Sequence, residues 1–166
     1  MEIRMARLEA IPEMIRLLRQ VGQVHHQIRP DIFRDGALKY DENALEALLR
    51  DENRPIFVGE DGGRVLGYCF CVFKDYRGSG VQTARVELYI DDLCVEQSAR
   101  GQGIATALYR YVKDFAKELG CSHISLNVWC GNVGAQRFYE RMGLTPRHIM
   151  MEQKLEETDA GKRKNL

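Results

Sequence analysis

The chain contains 166 residues, of which 45% are hydrophobic and 29% are charged, and its 24 Lys and Arg residues balance 24 Asp and Glu residues. This length and composition predict a single globular domain, and the zero formal charge argues against a protein that coats nucleic acid. No apolar run approaches the roughly twenty residues of a membrane span, and the charged stretch 1–10 predicts no secretory leader. We therefore expect neither nucleic acid nor a membrane as a partner.

The first half of the chain predicts four elements. They are a strand at 2–5, a helix from Ile11, a second helix after Asp41, and a hairpin of residues 56–60 and 65–74. Apolar residues at helical spacing indicate the first helix, and Pro30 ends it. Asp41 is a suitable N-cap for the second helix. An Asp-Gly-Gly turn at 61–63 joins the two strands of the hairpin.

Two histidines, His25 and His26, lie near the end of the first predicted helix. One interpretation makes one of them a substrate-binding or proton-handling group. The alternative is that His25 continues the apolar stripe while His26 faces water. The sequence favours the second interpretation, because it offers no nearby carboxylate partner and no metal-ligand spacing.

Five cysteines, an odd number without the density of a disulfide scaffold, indicate reduced thiols and a cytoplasmic protein. Cys69 and Cys71 are two residues apart on a predicted strand and therefore share one face. A metal site would need two further ligands at suitable spacing, which the sequence does not supply. We expect both thiols to be small core residues and predict no bound metal.

A strand, a glycine loop and a helix follow one another in the middle of the chain. Alternating apolar residues indicate a strand at 86–95, and helical spacing resumes at Ile104 after Gly101 and Gly103. The first N–H groups of a helix have no intrahelical partner and carry partial positive charge, and glycines let an anion approach them. This arrangement is typical of phosphate binding, although neither a Walker loop nor a complete dinucleotide fingerprint is present.

Two motifs resemble those of one enzyme family. The segment R-x-x-G-x-A, from Arg100 to Ala105, directly follows a strand that ends L-C-V, and it resembles the acyl-CoA-binding signature of the GNAT superfamily of N-acetyltransferases. About thirty residues later, Ile124 to Leu144 resembles the second motif of that family: a strand, an Asn, a helix with A-x-x-F-Y, and a Gly. The resemblance covers about residues 56–152.

The resemblance implies an α/β (α+β) fold of the GNAT type. We expect a mixed central sheet of six or seven strands, flanked by about four helices. Its two central parallel strands, 86–95 and about 124–128, are expected to splay apart. A single domain is predicted for residues 1–155 and a disordered tail for 156–166.

The resemblance also implies acetyl-CoA as the co-substrate, without a metal. The positions that match the cofactor site are Leu93, Cys94 and Val95 for the pantetheine arm, Arg100, Gly101, Gln102, Gly103, Ile104, Ala105 and Thr106 for the pyrophosphate, and Asn132. Arg100 can add charge-assisted hydrogen bonds, and Asn132 can also act as a helix N-cap.

Catalytic roles are implied for four residues. Tyr139 matches the tyrosine with which relatives protonate the departing thiolate, and the alternative is a packed ring with a solvated hydroxyl. Asp91 is the preferred general base and Asp92 an anchor for the substrate ammonium, with Glu87 as the second candidate base. The two aspartates point to opposite faces of a strand unless a bulge intervenes, and a solvated strand end is the alternative interpretation. Asn127 stands where relatives that acetylate protein N-termini carry a Glu base, so that subfamily is disfavoured.

The predicted function is transfer of an acetyl group from acetyl-CoA to a primary amine, by direct attack in a ternary complex. A different class, a catalytically silent acyl-CoA-binding sensor or assembly module on the same fold, is the alternative. The acceptor is a small-molecule amine or a protein amine, and the sequence does not choose between them. The oligomeric state is also open, with a homodimer among the options.

Overall fold

The computed structural model describes residues 1–155, which form five strands and four helices. The strands are Glu2–Met5 (β1), Ile56–Asp61 (β2), Arg64–Asp75 (β3), Val86–Val95 (β4) and His123–Leu126 (β5). The helices are Ile11–Ile28 (α1), Glu42–Leu49 (α2), Ile104–Glu118 (α3) and Val133–Arg141 (α4). The predicted disordered tail, 156–166, lies outside the described residues.

The strands form one mixed sheet in the order β1-β2-β3-β4-β5. Neighbouring strands are antiparallel from β1 to β4, whereas β4 and β5 are parallel and are connected through α3. This arrangement confirms the predicted fold class. The described part of the chain has five strands rather than the predicted six or seven, since residues 145–155 are exposed and form no strand.

The core lies on both faces of the sheet. Helices α1 and α2 cover one face, where Met14, Leu17 and Leu45 are fully buried, and α3 covers the other with Leu108 and Val112. Each helix presents one apolar stripe to the sheet, which is the pattern from which the helices were predicted. Within residues 1–155, no helix has both the length and the apolar character that crossing a bilayer requires.

Local sequence signals set several of the helix starts. The Asp41 side chain accepts a 2.8 Å hydrogen bond from the Ala44 N–H at the start of α2. The Asn132 side chain accepts a 3.2 Å hydrogen bond from the Ala135 N–H at the start of α4. Both residues are therefore N-caps, as their side-chain chemistry predicts. Helix α3 is different, because its N-cap is Gly103, which has no side chain to offer.

Cys69 and Cys71 are both buried on β3, and their Sγ atoms are 3.7 Å apart. All five cysteines of the chain are free thiols. The prediction that this pair belongs to the core is confirmed. Among residues 1–155, no group of three or more His, Cys, Asp and Glu side chains is arranged to hold a metal ion.

Candidate active site

The central parallel strands pair along only part of β4. β4 pairs with β5 only from Glu87 to Ile90, opposite His123 to Leu126. β4 nevertheless continues to Val95, where β3 still pairs with it on the other side. Because β5 ends at Leu126, the edge of β4 that faces β5 has no strand partner beyond Ile90 among the described residues. We call this unpaired edge the strand gap.

A β-bulge lies at the start of this gap. Phe70 of β3 pairs with Asp92 and the next residue, Cys71, pairs with Ile90, so Asp91 is the extra residue of β4. A bulge interrupts the strict alternation of side chains along a strand. As a result, both aspartates lie on the sheet face that α1 and α2 cover. The sequence had left this orientation open.

The Asp91 side chain contacts two residues of the loop between α1 and α2. Its Oδ2 atom accepts a hydrogen bond from the Tyr40 hydroxyl at 2.9 Å and forms an ion pair with the Lys39 Nζ atom, also at 2.9 Å. Lys39 additionally donates to the Asp91 carbonyl oxygen at 3.3 Å. Burial and the hydrogen bond to Asp91 raise the pKa of Tyr40 to about 12, so its hydroxyl stays a donor at neutral pH.

Asp92 lies deeper than Asp91 and accepts a 2.9 Å hydrogen bond from the Tyr68 hydroxyl. Burial raises the pKa of Asp92 to about 6, although the Lys39 charge and the Tyr68 hydrogen bond oppose the rise. Tyr68 is fully buried, and its own pKa is raised well above the usual value, chiefly by burial. Asp92 is thus a carboxylate whose proton affinity is close to that of a histidine, a range suited to general base catalysis.

Tyr139 extends from α4 toward the same region of the sheet. It is half-buried, and its pKa is raised by burial first and then by its neighbours Cys69, Asp92 and Cys71. Tyr139 therefore stays protonated at neutral pH and can act as a proton donor. Asp92 on β4 therefore acts electrostatically on this tyrosine of α4, although the two elements are far apart in sequence.

Glu87, by contrast, lies at the other end of the paired part of β4. It is four residues from Asp91, or about 13 Å along the strand. Its side chain is 2% exposed and accepts a 3.0 Å hydrogen bond from Arg147 and 3.2 Å hydrogen bonds from Tyr76 and Ser125. Burial raises the pKa of Glu87, but Arg147 and the two hydroxyls outweigh burial, so the pKa is lowered overall. The structure does not bring Glu87 to the gap, and its contacts are those of a structural ion pair.

A glycine loop follows β4 and ends in the N-terminus of α3. Gly101 and Gly103 have positive φ angles of 78° and 81°, and the space where a Cβ atom would lie is open at both. The first intrahelical hydrogen bond runs from the Ala107 N–H to the Gly103 carbonyl. The N–H groups of residues 104–106 consequently have no intrahelical acceptor and suit an anion.

One residue of this region, Gln20, was not predicted from the sequence. Its Nε2 atom donates to the Val95 carbonyl oxygen at 3.0 Å, and its Oε1 atom accepts from the Gln97 N–H at 2.9 Å. Together with Arg100 and Gln97, it lines a cleft of about 330 Å³ between α1 and the glycine loop. The backbone cradle formed by these N–H groups, this cleft and the strand gap lie side by side at the end of β4.

The two histidines anchor the loop that follows α1. His25 stacks on Phe33 with ring centroids 5.0 Å apart, and its pKa is lowered by burial and by the Lys39 charge. His26 is half-buried, and its Nδ1 atom lies 2.7 Å from the Phe33 carbonyl oxygen. The prediction that His26 faces water is therefore wrong, because the chain folds back over it after Pro30.

A splayed parallel pair beside a backbone anion cradle is the architecture of acyl-CoA-dependent transferases that the two sequence motifs resemble. The sequence model of the Acetyltransferase (GNAT) family matches residues 21–144, and the chain belongs to this family.

Curated relatives and solved structures agree with the assignment. N-alpha-acetyltransferase 30 of Schizosaccharomyces pombe is 34% identical over 104 residues, which cover 63% of this chain and 66% of that protein, just under two thirds of its length. Thialysine N-epsilon-acetyltransferase of Mus musculus is 30% identical over 138 residues, covering 80% and 75% of the two chains. The crystal structure of a tetramutant of BH1408 from Bacillus halodurans superposes with a TM-score of 0.89 at 28% identity, over 93% of this chain and all of that one.

Proposed function

We propose that the protein transfers the acetyl group of acetyl-CoA to a primary amine. One observation carries the proposal: the bulge at Asp91 places two carboxylates on one face, at the start of a strand gap that leads directly to the glycine cradle. A thioester held in that gap would meet an amine beside a base, and little more is needed once the geometry is supplied.

Acetyl-CoA would be held mainly by backbone groups. The N–H groups of residues 101–106 would bind the pyrophosphate, with Arg100 adding positive charge. The amide-bearing pantetheine arm would pair with the free edge of β4 at 93–95, as an added strand does. The Val95 carbonyl can take part although Gln20 already donates to it, because a carbonyl oxygen has two lone pairs. Asn132 lies at the start of α4 and is available on the opposite side of the gap.

The contacts of the two aspartates support a different division of roles from the one that the sequence suggested. Asp91 is already engaged by a cation and a hydroxyl, Lys39 and Tyr40, which is the environment of an ammonium-binding carboxylate. Asp92 has a pKa raised to about 6 and only the Tyr68 hydroxyl as a side-chain hydrogen-bond donor within residues 1–155. We therefore propose Asp92 as the base that deprotonates the amine, directly or through water, and Asp91 as the ammonium anchor.

Tyr139 is the proposed general acid. When the amine nitrogen bonds to the thioester carbonyl and the C–S bond breaks, the thiolate needs a proton, and a phenol held in its neutral form can donate it. Burial keeps Tyr139 neutral, since it raises the pKa of the hydroxyl.

The acceptor is proposed to be a cationic amine, drawn by the acidic pair. The relatives named above are named for transfer to an α-amine and to the ε-amine of thialysine, and another relative, 30% identical over 112 residues, is named for streptothricin. Asn127 stands where relatives that acetylate protein N-termini carry a Glu base, and an amide cannot act as that base. A small-molecule amine or a lysine-type amine is therefore the better candidate. A cytoplasmic location agrees with the five free thiols.

The test is a panel of primary amines, including diamines, thialysine, amino acids and lysine peptides, incubated with acetyl-CoA while free CoA is measured. Release of CoA that depends on one class of amine supports the proposal and identifies the acceptor. Binding of acetyl-CoA by calorimetry, without CoA release for any amine, would instead support the acyl-CoA-binding sensor. The Tyr139→Phe variant serves as the matched control, because it should retain binding and lose turnover.

A further inference from the structure

The Lys39 amine lies where the proposed mechanism requires the amine of an acceptor. Its Nζ atom is 2.9 Å from the Asp91 carboxylate, at the bulge where the strand gap begins. Lys39 comes from the loop between α1 and α2, 52 positions away in sequence, and it also donates to the Asp91 carbonyl oxygen. A cationic acceptor that used Asp91 as its anchor would have to take the place of this ammonium group.

The surroundings of Lys39 resemble a substrate site more than a structural ion pair. Its ammonium lies 5.4 Å from the centre of the Tyr40 ring, which provides a cation–π contact. Its charge also acts on Asp92 and on His25, so both carboxylates of the site interact with it. The Lys39 side chain is 40% exposed and that of Asp91 is 20% exposed, so the pair is accessible rather than sealed in the core.

We infer that Lys39 occupies the acceptor-ammonium position of its own active site and is acetylated there by the same chain. The inference rests on the proposed acetyl transfer, and it adds a modification site and an internal competitor for cationic acceptors. Lysine has a flexible four-carbon stem, so its amine can leave Asp91 and reach the roughly 3–3.5 Å separation from the thioester carbonyl that attack requires.

The step balances without any further reactant. The Lys39 ammonium loses one proton to Asp92, and the free amine forms the N–C bond with the thioester carbonyl. The C–S bond then breaks, and the CoA thiolate takes the Tyr139 proton, while the second proton of the attacking nitrogen returns through water to the Tyr139 oxygen. The products are acetyl-Lys39, free CoA and one proton, which Asp92 holds and then releases to solvent. Because the amide is neutral, the ion pair with Asp91 is lost, and the acidic pair becomes free to bind an external cationic amine.

The test uses the full chain with acetyl-CoA and no added amine, followed by peptide mass spectrometry at successive times. The expected result is close to one acetyl group per chain at Lys39, formed with a first-order rate that does not depend on protein concentration. The exposed lysine Lys113 on α3 reports non-enzymatic acetylation and should stay largely unmodified. Equal labelling of Lys39 and Lys113, or no label at Lys39, would overturn the inference.

Variants separate the enzymatic step from simple chemical reactivity. Asp92→Asn should slow labelling of Lys39 at least tenfold and leave that of Lys113 unchanged, because only the former needs the base. Lys113→Arg is the matched control, and its Lys39 should be acetylated at the wild-type rate. Unchanged labelling of Lys39 in Asp92→Asn would contradict self-acetylation, and thermal unfolding of each variant shows that it is folded.

The same preparations, assayed with the amine panel, distinguish the two proposals. Amine-dependent CoA release together with an unmodified Lys39 would overturn self-acetylation and leave the proposed function intact. Formation of acetyl-Lys39, with no additional CoA released when any amine is added, would support self-acetylation and contradict the proposed transfer to external amines. If both hold, Lys39→Gln, which mimics the neutral amide, should lower KM for a cationic acceptor several-fold with little change in kcat, measured at alkaline pH where Asp92 is ionised with or without the Lys39 charge.

Discussion

Gln20 and Val95, 75 positions apart in the sequence, are joined by a 3.0 Å hydrogen bond from the side-chain amide of the first to the carbonyl oxygen of the second. The same carboxamide accepts the Gln97 N–H at 2.9 Å. One side chain of α1 therefore fixes both the end of β4 and the start of the loop that leads to the glycine cradle. Gln20 thus positions the backbone that we propose for binding acetyl-CoA.

The first prediction concerns this connection. In Gln20→Glu the carboxylate can still accept the Gln97 N–H but cannot donate to Val95, and two oxygen acceptors would face each other. We expect the Kd for acetyl-CoA, measured by calorimetry, to rise about tenfold, or about 1.4 kcal/mol. The control is Gln27→Glu, which adds the same charge to the same cleft. An equal loss in both variants would show that charge, rather than the loss of the hydrogen bond, weakens binding.

Sequence patterns predicted the parts of this site that depend on neighbours along the chain. The caps at Asp41 and Asn132 and the glycines of the cradle belong to this group, because each acts within a few residues. The bulge at Asp91 could not be predicted, since it depends on how β4 aligns with β3. The Lys39 and Gln20 contacts are of the same kind, spanning 52 and 75 positions.

The number of strands and the state of the histidines show the same limit. Six or seven strands were expected, but residues 145–155, which follow α4, are exposed and form no strand. We expected His26 to face water because helical periodicity does not predict whether a later loop folds back over the helix. Its contact with the Phe33 carbonyl comes from that loop.

The second prediction tests the pyrophosphate cradle through Gly103. Any side chain is strained at its φ of 81°, so Gly103→Ala measures the cost of the backbone conformation. Gly103→Glu adds a negative charge where phosphates approach the N-terminus of α3. We expect Ala to weaken acetyl-CoA binding modestly and Glu to abolish it, with similar thermal unfolding for the two. If both variants bind acetyl-CoA alike, the pyrophosphate does not lie at this turn.

The third prediction concerns the proton that the leaving thiolate takes. Tyr139→Phe keeps the ring and removes the hydroxyl, so kcat should fall by roughly 10- to 10⁴-fold while the Kd for acetyl-CoA changes little. Tyr109→Phe is the control, because Tyr109 faces the same region from α3 and is not placed in the reaction. Wild-type turnover of Tyr139→Phe on the best amine would exclude the general-acid role.

The fourth prediction separates structure from catalysis at Glu87. Glu87→Gln removes the charge that pairs with Arg147 and Arg85, and it should lower the free energy of unfolding by about 1–3 kcal/mol. Because the pKa of Glu87 is lowered in the fold, this loss should be present at neutral pH and shrink as acid protonates the wild-type carboxylate. Denaturant titrations at several pH values measure it. A pH–rate profile that loses its acidic limb in Glu87→Gln would instead make Glu87 the base.

The fifth prediction concerns the pH dependence that Asp92 imposes. Burial, Lys39, Tyr68 and Asp91 set the pKa of this carboxylate. Its own charge raises the pKa of three groups that face it, which are Tyr139, Cys69 and Cys94. Burial dominates and raises the pKa to about 6. A base must be ionised to accept a proton, so kcat/KM should rise with pH through about 6. In Asp92→Asn this rise of kcat/KM near pH 6, the acidic limb of the profile, should disappear. The remaining rate should increase only at alkaline pH, where free amine is abundant.

Asp91 and Lys39 supply the controls for this profile. Asp91→Asn removes attraction for the ammonium rather than the base, so it should raise KM for a cationic amine and keep the acidic limb. Lys39→Gln removes a cation that lowers the pKa of Asp92, so the limb should move to higher pH. A pH–rate series for the three variants with one amine decides between the two aspartates. If Asp91→Asn loses the limb while Asp92→Asn keeps it, Asp91 is the base, and the Lys39 ion pair must open before each turnover.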